Sequence, residues 1–235
     1  IHISRIMDIL SLSSVDLGLR DREGYDEPEA CGVSDMTKCL MLDVDGVIIS
    51  GPDGQSWARD IKRDLGIDPD LLETHFFIPH WPEIVAGKKA LRAVLEECLP
   101  VLAAPVSPDD FMAYWFERDS TIDHDVLAAC DRLRARGTRI FLATNQEHLR
   151  AEYLMAQLKL SDRVDGIVYS AAVGAKKPDP AFFEAAEAKS GFAGADHILV
   201  DDQLRNIEAA RAFGWHALHW TGGEDLEALV DASRG

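Results

Sequence analysis

The sequence predicts an α/β fold: a doubly wound parallel sheet with helices on both faces, interrupted by one helical insertion. Three observations predict it. A short apolar run, Lys38 to Leu42, halts at Asp43-Val44-Asp45-Gly46, as a buried parallel strand does on reaching its loop. Residues from about 52 to 120 place apolar side chains at helical spacing, with Pro and Gly between the segments and no strand-like run. Beyond that block, strand-like and helix-like segments alternate to Leu218, which requires a parallel sheet joined by right-handed crossovers.

Residues 1–37 lack an apolar period and pass through the charged, breaker-rich stretch Asp21 to Glu29, so they read as a short helix and a solvated N-terminal extension. The α/β core domain is expected at 38–51 and 121–235, with the helical insertion at 52–120. Within the insertion, helices are predicted at Trp57–Leu65, Leu71–Phe77, Gly87–Leu99 and Pro108–Arg118. After it come helix Asp125–Arg136 with Gly137 as its stop, strand Thr138–Ala143 and helix Glu147–Leu158. Strand Gly166–Tyr169, helix Pro180–Ser190, strand His197–Val200, helix Leu204–Phe213 and strand Trp215–Leu218 complete the pattern.

The chain has 235 residues, 47% of them hydrophobic and 28% charged, enough apolar material for a sizeable core. Its 24 basic and 41 acidic residues give a net charge of −17, which repels polyphosphate backbones and anionic membranes. No nucleic acid or membrane partner is therefore expected. No apolar run approaches the roughly 20 residues that cross a bilayer, and the expectation is a soluble, cytoplasmic protein. Cys31, Cys39, Cys98 and Cys130 are scattered without a C-x-x-C pair and read as buried, reduced thiols. The sequence does not set the oligomeric state.

In such a sheet, ligands bind beyond the carboxyl ends of the strands. The polar residues that follow the predicted strands form a coherent set: Asp43 and Asp45, then Thr144 and Asn145, then Lys176 and Lys177, then Asp201 and Asp202. Four carboxylates gathered in one crevice raise one another's pKa unless a cation sits among them. An all-oxygen set without His or Cys suits Mg²⁺. Thr144 and Lys177 are then placed to bind the oxygens of a tetrahedral anion.

Asp43-Val44-Asp45-Gly46-Val47, Ala143-Thr144-Asn145, Lys177-Pro178-Asp179-Pro180 and Val200-Asp201-Asp202 resemble the four ordered motifs of the haloacid dehalogenase superfamily, over roughly residues 39 to 220. The resemblance implies a Rossmann-like core and a Mg²⁺-dependent phosphatase acting on a small phosphomonoester. It implies that Asp43 is the nucleophile that forms an aspartyl-phosphate, and that Asp45 protonates the leaving oxygen and then activates water. It implies a metal site of the Asp43 side chain, the Asp45 backbone carbonyl and Asp202 as direct ligand, with Asp201 assisting directly or through water. Asp45 argues against halide displacement, because a halide leaving group needs no proton whereas an alkoxide does. The same resemblance makes residues 52–120 a cap domain that chooses the substrate. Phe76, Phe77, His80, Trp81, Gly87 and Lys88 are similar to the cap of phosphatases related to the α-D-glucose-1-phosphate phosphatase group. A phosphomutase uses the same residues and is the nearest alternative. A non-catalytic binding module is the alternative of another class, and it would be expected to lack one of Asp43, Asp45, Lys177 or Asp202.

Several residues have plainer readings. Thr144 and Asn145 also suit capping of the next helix, and Asp179 before Pro180 suits an N-cap. Lys176 competes with Lys177 for the amine role, and the position immediately before Pro favours Lys177, with Lys176 solvated. Asn206, one turn beyond Asp202, is placed to hydrogen-bond a carboxylate of the site. His216 and His219 read as packing or surface residues. His80, Trp81 and the Phe111, Tyr114, Trp115 group read as core of the insertion.

Overall fold

A computed structural model describes residues 38–51, 54–102 and 106–233. The N-terminal extension expected at 1–37, with Cys31, lies outside the described residues.

Strand β1 (Cys39–Leu42) is followed by β2 (Ile49–Ser50) and then by helices α1 (Ile61–Leu65) and α2 (Pro69–Leu72). A π-helical turn at Glu73–Phe77 joins α2 to α3 (Ile78–Val85); α4 (Leu91–Cys98) and α5 (Pro108–Arg118) follow. The chain returns through β3 (Thr121–Ile122), α6 (His124–Ala135), β4 (Arg139–Thr144), α7 (His148–Ala156) and β5 (Gly166–Tyr169). It ends with α8 (Ser170–Val173), α9 (Pro180–Ser190), β6 (His197–Asp201), α10 (Leu204–Phe213), β7 (His216–His219) and α11 (Leu226–Ala232).

The sheet has five strands in the order β5-β4-β1-β6-β7, and every pairing is parallel. The order places β1 at the centre, where both faces are covered, and its four residues are fully buried. Alternation along the strands splits the core in two. Leu40, Leu42, Ile140, Leu142, Ile198 and Val200 face one side, toward α6, α7 and α11. Cys39, Met41, Phe141, Ala143 and Leu199 face the other, where Phe182, Phe183 and Ile207 of α9 and α10 cover them. The helical block between β2 and β3 has its own apolar cluster, built from Trp57 through Phe116.

The structure differs from the predicted elements at places with local physical causes. Helix α1 begins at Ile61 instead of Trp57, because the Ser56 hydroxyl accepts from the Ala58 N–H at 3.2 Å and holds a turn ahead of the helix. The segment predicted as Leu71–Phe77 begins at Pro69, capped by Asp68, and runs on through α3 despite Pro79 and Pro82. Pro79 has no N–H to offer the carbonyl one turn earlier, that of His75. The Cys98 thiol donates to that carbonyl instead, at 3.4 Å. Helix α4 starts at Leu91 instead of Gly87, because Gly87 ends α3 at a φ of +70°. The antiparallel pair β2–β3, at the root of the helical block, and the short helices α8 and α11 were not predicted. Strands of two residues are too short to show a period.

Candidate active site

The site forms where β1, β4 and β6 end side by side. Asp43 follows β1 directly, and its N–H donates to the Val200 carbonyl at 2.9 Å, so the sheet ladder itself fixes its position. The chain then turns sharply: the Val44 carbonyl accepts from the N–H groups of Val47, Ile48 and Ile49 at 3.3, 2.9 and 2.9 Å. Gly46 stands in this turn at a φ of +81°, and a Cβ there would lie 2.6 Å from Asp202 Oδ2. Only glycine lets the turn approach the β6 loop so closely.

Asp43 Oδ1 accepts from the Val44 N–H at 2.8 Å, and Lys177 Nζ lies 3.0 Å from Asp43 Oδ2 and 2.5 Å from Asp201 Oδ2. Lys177 and Asp201 are almost fully buried beneath the cavity floor. Asp201 is further held by the Gln203 N–H at 2.8 Å and by Asn206 Nδ2 at 3.0 and 3.1 Å. Asn145 binds Lys177 by both backbone groups: Nδ2 donates to its carbonyl at 3.1 Å and Oδ1 accepts its N–H at 2.8 Å. Asp202 is more open, with Oδ2 accepting from Gln203 Nε2 at 2.9 Å. Thr144 is buried, and its hydroxyl has no hydrogen-bond partner.

The electrostatics follow from burial of like charges. Burial raises the Asp43 pKa well above the usual carboxylate range, Lys177 opposes the rise, and Asp201, Asp202 and Asp45 add to it. Burial first, then Asp119, push Asp45 to about 6, against the pull of Arg150, Lys177 and a hydrogen bond from Gln146. Burial and the Asp201 charge take Asp202 to about 6. Burial disfavours the Lys177 ammonium, but Asp201 and Asp43 outweigh it and its pKa stands raised. One carboxylate oxygen from each of Asp43, Asp201 and Asp202 lies within 4.8 Å of the others. An all-oxygen cluster in which burial and neighbouring carboxylates push Asp43 and Asp202 up fits a hard divalent cation.

Above this floor lies a cavity of about 310 Å³, lined by Asp43, Asp45, Thr144, Asn145, Lys176 and Asp202 on the core side and by residues of the helical block on the other. The residues expected at one crevice thus stand together, with Lys177 and Asp201 immediately below. Lys176, expected in solvent, is half-buried and lines the cavity. Thr144 and Asn145 do not cap α7: Glu147 does, accepting from the Leu149 N–H at 2.9 Å and from the Arg150 N–H, because its longer side chain folds back onto the first turn. Asp179 caps α9, accepting from Ala181 at 3.0 Å. His219, read as remote, has Nε2 3.0 Å from the Asp202 carbonyl because β7 runs beside β6. Trp81 and Trp115 pack in the block's core, as expected, and also line the cavity, whereas His80 does not line it.

Sequence reasoning missed Gln146, Asp119 and Arg150. Gln146 is buried and its amide donates to Asp45 Oδ2. Asp119 lines the cavity, with Oδ2 accepting from Trp115 Nε1 at 3.4 Å. The buried Arg150 guanidinium donates to the carbonyl of Phe116 at 2.9 Å, to Ser120 Oγ at 3.1 Å and to the carbonyl of Asp119. Position next to Asn145 was the one signal for Gln146; the other two contacts join segments about 30 residues apart and leave no trace in spacing.

A parallel sheet that gathers carboxylates, a hydroxyl and an ammonium group at its strand ends is the framework of an α/β enzyme whose chemistry centres on a buried acid. The model of the haloacid dehalogenase-like hydrolases matches residues 37–214, and the chain belongs to that family. A sesquiterpene phosphatase of Aspergillus oryzae is 35% identical over 89 residues, a match covering 38% of this chain and 45% of the relative, so under half of that protein is represented. A phosphoglycolate phosphatase of Pseudomonas putida is 25% identical over 207 residues, covering 84% of this chain and 74% of the relative. Among solved structures, a haloacid dehalogenase family enzyme of Bacteroides thetaiotaomicron in complex with magnesium and inorganic phosphate superposes with a TM-score of 0.71 at 18% identity, over 83% of this chain and 99% of that one. L-2-haloacid dehalogenase of Xanthobacter autotrophicus superposes with a TM-score of 0.59 at 18% identity, over 85% and 84%. At these identities the structural likeness shows the fold. No helix among the described residues is long and apolar enough to cross a membrane.

Proposed function

We propose that this chain is a Mg²⁺-dependent phosphatase that hydrolyses a small phosphomonoester through an aspartyl-phosphate on Asp43. The observation that carries the reading is the Lys177 ammonium lodged between Asp43 and Asp201, 3.0 and 2.5 Å from their carboxylates, just beneath a cavity that Asp43 and Asp45 line. Lys177 opposes the burial-driven rise of the Asp43 pKa, which favours the ionised nucleophile, and has one N–H left for a phosphate oxygen. The partnerless Thr144 hydroxyl is a second donor for that oxygen cluster, and Asn145 holds Lys177 in place.

In the first step an Asp43 carboxylate oxygen attacks phosphorus, the phosphorus–alkoxide bond breaks and Asp45 gives its proton to the departing oxygen. In the second, Asp45 takes a proton from water, the water oxygen attacks phosphorus, and inorganic phosphate leaves with Asp43 regenerated. A carboxyl with a pKa of about 6, oriented by Gln146, suits both duties near neutral pH. Asp43, Asp202 and the Asp45 carbonyl are the groups that would hold Mg²⁺, which supplies positive charge to offset that of the phosphoryl oxygens. The choice of Asp202 as direct ligand is supported by its openness, since Asp201 is already engaged by Lys177, Gln203 and Asn206. Residues 52–120 would act as the cap over the phosphoryl site, and the core would comprise 38–51 and 121–235.

The test is turnover of p-nitrophenyl phosphate. It should require Mg²⁺ and disappear in Asp43→Asn at unchanged thermal stability. Full activity in that variant would reject the mechanism.

A further inference from the structure

We infer that the cavity is built for phosphomonoesters of an uncharged, largely apolar alcohol, and that Asp119 excludes anionic alcohols. The inference rests on the phosphatase reading and names the substrate class of the same site. The core side of the cavity carries the groups that take the phosphoryl end. The opposite wall carries, beside the uncharged polar side chains of Ser50, Gln55 and Ser56, the aromatic Trp57, Phe77, Trp81 and Trp115. Their rings lock one another: Trp57 stacks on Trp115 at 5.0 Å and 18°, Trp81 meets Trp115 at 5.3 Å, and Phe77 stands edge-on to Trp115 at 5.6 Å. The apolar wall is therefore preformed, and a leaving group that fits it orders nothing on binding.

Among the described residues, Asp119 is the one charged side chain that the helical block and its flanking strands, from Ile49 to Asp119, contribute to this wall. An alcohol bearing a carboxylate would have to face it at close range in an apolar surround, where like charges repel most strongly. The nearby Arg150 offsets part of the Asp119 charge but does not line the cavity, because its guanidinium is bound to Phe116, Asp119 and Ser120. Lys176, beside Lys177, and Arg205, in the first turn of α10, line the cavity from the core and not from the helical block. A quaternary ammonium cage needs several open aromatic faces, and Trp57 and Trp115 cover one face of each other. An uncharged group with a large apolar part is what the four aromatic rings favour.

The experiment compares kcat/KM with Mg²⁺ for benzyl phosphate, 2-phosphoglycolate, glucose 1-phosphate and phosphocholine, with p-nitrophenyl phosphate as the reporter of phosphatase activity. Benzyl phosphate should exceed 2-phosphoglycolate by about 100-fold, and Asp119→Asn should shrink that ratio about tenfold. Trp81→Ala should lower kcat/KM for benzyl phosphate more than for glucose 1-phosphate, a difference that general loss of folding would not produce. Preference for any of the other three esters, or a ratio unmoved in Asp119→Asn, overturns the inference while leaving the phosphatase reading intact. No turnover of p-nitrophenyl phosphate or of any ester in the panel would remove both. The wild-type ratios decide the case even if a variant fails to fold.

Discussion

Asn145 spends its amide on both backbone groups of Lys177, a residue 32 positions away, and so converts a loop junction into a fixed mount for an ammonium group. Asn145→Ala should lower kcat by about 10–100-fold, the usual effect of losing a group that orients a catalytic one. Steady-state kinetics against the melting temperature would separate this from unfolding, and an undiminished kcat would show that Lys177 holds its place unaided. Gly46 makes a different demand. Its φ of +81°, and the 2.6 Å that would separate an added Cβ from Asp202 Oδ2, mean that Gly46→Ala strains the backbone and displaces a carboxylate at once. A stability loss of about 1–2 kcal/mol is expected from the left-handed conformation alone, measured by urea unfolding. Residue types at these positions were legible in the sequence, because short polar strings at strand ends stand out from apolar surroundings. Their partners were not. Asn145 read as a phosphate contact that could also cap the next helix, and only the fold brings the Lys177 backbone to it.

Among the elements, α7 joins the core to the helical block through Arg150, beside Leu149 and Tyr153, which pack against the block's apolar cluster. Arg150 satisfies acceptors on Phe116, Asp119 and Ser120 where α5 ends, beneath surfaces that water does not reach. Arg150→Leu leaves those acceptors unpaired and should cost about 3 kcal/mol in urea unfolding, with Arg150→Lys recovering little because an ammonium lacks the planar fork. A loss below about 0.5 kcal/mol would mean that water replaces the guanidinium. Strand β6 gives a pH signature. His197 is buried, with its ring stacked 4.3 Å from that of Trp215, and burial lowers its pKa below 6.5. Below 6.5 the unfolded chain therefore binds more protons than the folded one, so this residue's contribution is full above 6.5 and fades as pH falls toward the lowered folded value. The stability difference between wild type and His197→Gln should shrink from pH 7.5 to pH 5.5; a constant difference would contradict it. The long elements were legible because α9 and α10 carry complete helical signals, from Pro180 and Leu204 to closing glycines. The run of the π turn into α3 was not, since Pro79 and Pro82 of α3 argue for a break, and no spacing in the sequence points to the Cys98 thiol that satisfies the carbonyl Pro79 leaves.

At the scale of the whole molecule, a net charge of −17 and a buried acidic cluster act on stability in two ways that salt can tell apart. Any salt screens the diffuse surface repulsion and should raise the melting temperature gradually. A cation held by Asp43 and Asp202 would act at one place, offsetting the repulsion that adds to burial in raising both carboxyl pKa values. By linkage, a ligand at 100 times its Kd that binds only the folded state adds about 2.7 kcal/mol, and in a chain of this size each kcal/mol moves the midpoint by about 2–4 °C. Saturating MgCl₂ should therefore raise the midpoint by about 5–10 °C above that in NaCl of equal ionic strength. Asp202→Asn should start from a midpoint at or above that of the metal-free wild type, since one of the repelling charges is gone, and should respond equally to the two salts. Identical wild-type midpoints in MgCl₂ and NaCl would leave the acidic cluster without its cation. A magnesium-specific rise that survives in Asp202→Asn would move the ion to other ligands and take the proposed role of Asp202 with it.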